Sequence, residues 1–113
     1  MNKNLEKRTK QFSLAVIKFT AALPRTREAD ILGRQLLRSA TSIGANYREA
    51  NRGVSRADFA NKIGTVEKEA SETQYWLELF IESDLLKSPP TALQAEATEL
   101  LAIFTAIGKK LKL

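Results

Sequence analysis

Four apolar stripes, each repeating with the period of an α-helix and each cut off by a helix breaker, constrain this chain more than any other feature. Stepping about 100° per residue, Leu5, Phe12, Val16, Phe19 and Leu23 fall on one side of a segment spanning roughly residues 3–22, which Pro24 ends. Leu32, Leu36, Ser39, Ile43, Tyr47 and Ala50 form the second stripe, over 27–52, with Glu28 and Asp30 in the first turn, where the helix dipole favours anions, and Gly53 as a stop. Ser55 and Asp58 have capping-box spacing and open a third segment reaching about Asp84. Its stripe is Phe59, Ile63, Val66, Ala70, Thr73, Leu77, Phe80 and Ile81. Ser88-Pro89-Pro90 reads as a cap followed by first-turn prolines. Leu93, Ala97, Leu100, Phe104, Ile107 and Leu111 line the fourth helix, and Lys109, Lys110 and Lys112 suit its C-terminal dipole.

Four helices with short connections predict one all-α domain over residues 1–113, an antiparallel up-down-up-down four-helix bundle. There is no β alternation, internal repeat or low-complexity linker. The chain has no cysteine, which points to a reducing cytoplasm. Its charged, polar N-terminus does not read as a signal peptide and no apolar run is long enough to cross a membrane, from which a soluble, intracellular protein is expected.

The second helix is unusual. RSATSIGANYREANRG, residues 38–53, is rich in small and polar residues that form helices poorly. Ser39 falls among the core positions and Gly44 at their edge, while Thr41 and Ala45 point outward, so close helix packing accounts for part of the pattern. Arg34, Arg38, Arg48 and Arg52 share an arc of about 80° on the opposite side, a stripe roughly 27 Å long. Such a stripe is either solvated surface or a set of guanidinium forks for phosphates, with Thr41, Ala45 and Asn51 leaving room for a backbone to approach. Charge distribution bears on the choice. Residues 1–56 hold twelve Lys/Arg against four Asp/Glu, a net +8, whereas residues 57–113 hold six against nine, a net −3.

On the third helix Tyr75 and Leu79 point away from the core stripe, with Trp76 on its flank. One bundle cannot bury all of YWLELF, which predicts a subunit interface at Tyr75, Trp76 and Leu79. Leu14, Ile17, Ala95, Ala102 and Ala106 also lie off their core arcs. Catalysis has little support, since His and Cys are both missing. The glutamates of helix three lack the Glu-x-x-His partner of a di-iron bundle, and the glycines stand singly, without a phosphate loop. We therefore expect no enzyme activity, no metal and no cofactor.

The run from Gln35 to Leu86, above all RSATSIGAN at 38–46 and ADF...KEASETQYWLE between 57 and 78, closely resembles the four-helix-bundle proteins encoded in intervening sequences of bacterial large-subunit ribosomal RNA genes. That family includes the accessory protein of diversity-generating retroelements. Where many members carry Ile-Ala-Glu-Gly, this chain carries Tyr47-Arg48-Glu49-Ala50, which marks a distinct subgroup. The resemblance implies a non-enzymatic, basic, ring-like homopentamer whose partners are nucleic acid, ribosomal RNA included, and in one branch a reverse transcriptase. Two functions follow as expectations: a nucleic-acid-binding oligomer, or an adaptor whose positive charge recruits an acidic protein.

Overall fold

Two hydroxyls cap helix starts, Ser55 as its spacing from Asp58 predicts and Thr26 as a cap that the periodicity does not mark. Thr26 Oγ1 accepts from the Ala29 amide, and Ser55 Oγ from the Asp58 amide, each at 3.1 Å. A computed structural model describes residues 3–112 and contains α1 (Lys3–Ala21), α2 (Arg27–Asn51), α3 (Arg56–Glu82) and α4 (Thr91–Leu111). The start of α4 corrects the expectation of a serine cap at Ser88. Pro90 occupies the cap position with no side-chain bond, and the first amides reach the Pro89 and Pro90 carbonyls instead. Gly53 does end α2, but not through the left-handed conformation glycine usually supplies there. A Cβ at Gly53 would lie 3.2 Å from the Ala50 carbonyl and 3.3 Å from Asp58 Cβ, so the α2–α3 turn is simply tight. Asp84, at φ 60, makes the left-handed turn after α3, a conformation a short polar side chain tolerates.

Each consecutive helix pair is antiparallel. Gly44 faces Thr9 while Gly33 faces Leu23; Glu49 pairs with Lys62 while Ser39 meets Thr73; Gly108 faces Ile63 while Gln74 bonds Thr98. The up-down-up-down bundle measures 45 × 21 × 21 Å. Its core holds Phe12 and Val16 of α1, Leu36, Ile43 and Tyr47 of α2, Ile63, Val66, Leu77 and Phe80 of α3, and Leu100 and Phe104 of α4. Burying such a side chain contributes about 1.5–3 kcal/mol. Two edge-on ring pairs tie the layers, Phe19 with Phe80 at 5.4 Å and Tyr47 with Phe104 at 5.2 Å.

Some expected core positions sit shallower. Phe59, Phe19, Leu32 and Ile107 are only half-buried, because they lie near helix ends or on the margins of their stripes. One polar residue goes deeper than expected: Thr9 is fully buried, its hydroxyl donating to the Glu6 carbonyl at 3.0 Å. Between α2 and α3, Ser39 Oγ donates to the Leu36 carbonyl at 3.3 Å and accepts from Thr73 Oγ1 at 2.9 Å, so two buried hydroxyls satisfy each other. The seam between α1 and α4 is the thinnest in the bundle. Arg8 spans it, with Nε 2.7 Å from Glu96 Oε2 and Nη2 2.8 Å from Glu99 Oε1. Glu96, and after it Glu99, hold the Arg8 guanidinium even more firmly protonated than usual.

Candidate nucleic-acid interface

The small residues of α2 set the distance to α1. A Cβ on Gly44 would lie 3.2 Å from Thr9 Oγ1 and 3.5 Å from the Thr9 backbone carbon, so α1 lies almost against the α2 backbone there. Three polar side chains in the same stretch bond back one turn: Thr41 Oγ1 to the Leu37 carbonyl at 2.8 Å, Ser42 Oγ to that of Arg38 at 2.7 Å, and Asn46 Nδ2 to that of Ser42 at 2.8 Å. Above this contact a groove of about 420 Å³ opens between α1 and α2. Lys10 and Ser13 come from α1, Ala45, Arg48 and Arg52 from α2, and Glu6 and Glu49 complete its walls.

The four arginines divide among three settings. Arg48 and Arg52 share the groove. Arg34 lies about 21 Å up the helix, in a separate hollow of about 610 Å³ beside the α1–α2 turn, and its Nε is 3.1 Å from Asp30 Oδ2. Arg38, at the α3 edge of the arc, turns to that helix and pairs with Glu69 at 3.3 Å and with Glu72. The stripe is therefore continuous along the helix but divided in its partners: Arg38 holds α2 to α3.

Within the groove the carboxylates are largely engaged elsewhere. Glu6 accepts from Asn51 Nδ2 at 2.8 Å and lies 4.0 Å from Arg48 Nε, the outer limit of an ion pair. Glu49 is bonded by Lys62 Nζ at 2.8 Å, which pulls its carboxyl below the usual range. Lys10 and Arg52 form no ion pair among the described residues, and both are exposed. Lys10 and Ser13 complete the cluster; a helical-wheel phase for α1 relative to α2 is the signal that finds them, and periodicity within one helix does not supply it. Close to Glu6 and Asn51 lies the buried Tyr47, whose hydroxyl makes no well-formed hydrogen bond among the described residues. Burial pushes this phenol above its ordinary value and Glu6 adds to the rise, with Asn51 acting against both.

The expected association residues also separate. Tyr75 is 53% exposed and meets Trp76 edge-on at 5.3 Å. Trp76 is half-buried against the core, its Nε1 donating to Glu72 at 3.4 Å, and Leu79 is half-buried too. Their own bundle thus covers much of Trp76 and Leu79, because α3 is flanked by both α2 and α4. Leu14 and Ile17 remain exposed on α1. Among the described residues no helix is long and apolar enough to cross a membrane, and no group of His, Cys, Asp and Glu could hold a metal ion.

Residues 2–108 match the family model of the 23S rRNA-intervening sequence protein. A similar solved structure is that of a protein of unknown function from the S23 ribosomal protein family of Bacteroides thetaiotaomicron. It is 35% identical, with 92% of this chain and 97% of that one superposed at a TM-score of 0.83. No curated protein matches the chain.

Proposed function

This chain belongs to the 23S rRNA-intervening sequence protein family, and from that premise we propose that it is a non-enzymatic, self-associating cytoplasmic bundle that binds nucleic acid, structured RNA foremost, through the α1–α2 groove. One observation carries the reading: Lys10, Arg48 and Arg52 converge on a single groove whose two carboxylates are held by Asn51 and Lys62. Cations that already have close partners gain little from a phosphate, whereas Lys10 and Arg52, which have none among the described residues, and Arg48, whose contact with Glu6 is at the 4.0 Å limit, gain a charge-assisted bond. Gly44 and Ala45 keep the wall low enough for a sugar-phosphate backbone. The sequence, without His or Cys, supplies none of the common acid–base or nucleophilic groups, which supports a binder over a catalyst. Exposed Tyr75, with Leu14 and Ile17 on another side of the bundle, supports association between copies, and a ring would repeat the groove around its circumference.

The test is fluorescence anisotropy with a structured RNA and a DNA duplex over a salt series. The wild type should show a log–log slope of about −0.9 per phosphate neutralised on duplex. Replacing Lys10, Arg48 and Arg52 by Gln should flatten that slope by about 2–3, whereas Arg34→Gln with Arg38→Gln should leave it nearly unchanged. Equal effects of the two variants would return the site to a diffuse stripe. Absence of wild-type binding at low salt, with capture of an acidic protein instead, would establish the adaptor reading.

A further inference from the structure

At the Arg52 end of the groove the fold collects cations from three distant places in the sequence. Arg52 caps α2, Arg56 opens α3, and Lys109, Lys110 and Lys112 close α4. The antiparallel packing of α3 and α4 puts the last turn of α4 beside the first turns of α3, where a Cβ on Gly108 would lie 3.9 Å from Ile63 Cγ2. All five cations are exposed and none has an ion-pair partner among the described residues. Asp58, in the first turn of α3, and Glu67, packed over Gly108, are the nearby acids that Lys62 and Asn51 do not hold, two against five.

Helix dipoles do not neutralise this pole. A C-terminus carries about −0.5 charge and an N-terminus about +0.5. In this topology the ends of α2 and α4 and the starts of α1 and α3 meet at the same end of the bundle, so the dipoles cancel two against two. Side-chain charge remains. Val54, the apolar tip of the α2–α3 turn, is 94% exposed between Arg52 and Arg56.

We infer that this pole is a second phosphate-binding face, joined to the groove through Arg52, and that its ligand is a single-stranded or looped nucleic acid able to turn a corner. The inference rests on the groove reading and adds the class of ligand. The groove runs along the side of a bundle 45 Å long, whereas the pole caps an end only 21 Å across, so the two faces meet at roughly a right angle. Bending a short duplex sharply costs elastic energy, whereas an unpaired strand bends almost freely. At the corner Val54 offers an apolar contact to an unpaired base, which a duplex keeps inside its stack. A straight duplex reaches the groove or the pole but not both.

The experiment compares an unstructured oligouridylate with a duplex DNA of equal length in the same salt series, using the full chain with Lys109, Lys110 and Lys112 changed to Gln, and separately Arg56→Gln in case the lysine variant loses its fold. Single-strand affinity should fall about ten- to hundredfold near 0.1 M salt, with a slope reduced by about 0.7 for each phosphate no longer neutralised. Duplex binding should change less than about twofold. An equal fall on both probes, or none on the single strand, overturns the corner-turning ligand. The two readings separate cleanly. If the groove variant weakens both probes while the pole variants weaken neither, the groove stands and the pole falls; if wild type binds neither probe, both fall.

Discussion

Two glycines, each placed inside a helix, should respond differently to the same substitution. Gly64 in α3 is exposed, and a Cβ there would meet nothing within 4 Å. Gly64→Ala therefore gains only helix propensity, about 0.8–1.0 kcal/mol. Gly44→Ala gains the same propensity, but its new methyl lies 3.2 Å from Thr9 Oγ1 and 3.4 Å from Thr9 Cβ. Thr9 cannot easily give way, being fully buried with its hydroxyl donated to Glu6. Pushing α1 outward costs about 1–3 kcal/mol, which cancels or exceeds the gain. The two variants should differ by about 1–3 kcal/mol, or several degrees in melting temperature for a domain of this size. Thermal unfolding followed by circular dichroism measures it, with light scattering alongside. Equal stabilisation by both would refute the claim that close approach of α1 requires Gly44. A drop in assembled mass for Gly64→Ala would instead report a partner subunit on that face.

Further outcomes are expected. Phe104→Ala should cost about 3–5 kcal/mol in urea unfolding, since the ring is fully buried against Tyr47. Arg38→Gln should cost at most about 1 kcal/mol, its guanidinium being 49% exposed and screened, and should leave nucleic-acid binding intact; a large drop in affinity would put Arg38 back in the interface. Tyr47→Phe removes a buried hydroxyl with no well-formed hydrogen bond, so stability at neutral pH should hold or rise. Because the folded phenol titrates above its ordinary value, its contribution is intact below about pH 10 and is lost as pH climbs through the raised value. The Phe variant should lack that alkaline decline, and a decline identical to wild type would contradict the assignment. Tyr75→Ser should lower the light-scattering mass if the exposed ring lies between copies.

The helices were legible because each carries its own period and its own punctuation; Pro24, Gly53 and Ser55 all lie in the turns between helices. Burial of Leu36, Ile43, Leu77 and Phe104 follows from phase within a single helix. What was not legible depends on phase between helices. Arg38 and Arg48 occupy one arc of α2, yet one faces α3 and the other α1, and no repeat within α2 separates them. Likewise the lysines at 109–112 sit in the acidic half of the sequence but at the basic end of the molecule, since antiparallel packing folds the two halves onto each other. Ser88 failed as a cap because Pro89 and Pro90 displace the helix start to Thr91.

The thin α1–α4 seam has a kinetic consequence. Nearly all packing joins helices adjacent in the chain, so contact order is low and loop closure costs little, which favours folding on a fast timescale. The seam expected to form last, and to open first, is the one that closes the ring of helices, where Arg8 reaches Glu96 and Glu99 across 88 and 91 residues of chain. Amide exchange in α1 should accordingly report a partial opening below the global unfolding free energy, in which α1 swings from the bundle while α2 and α3 stay paired. That opening widens the groove at Lys10 and Arg48 without unfolding the rest.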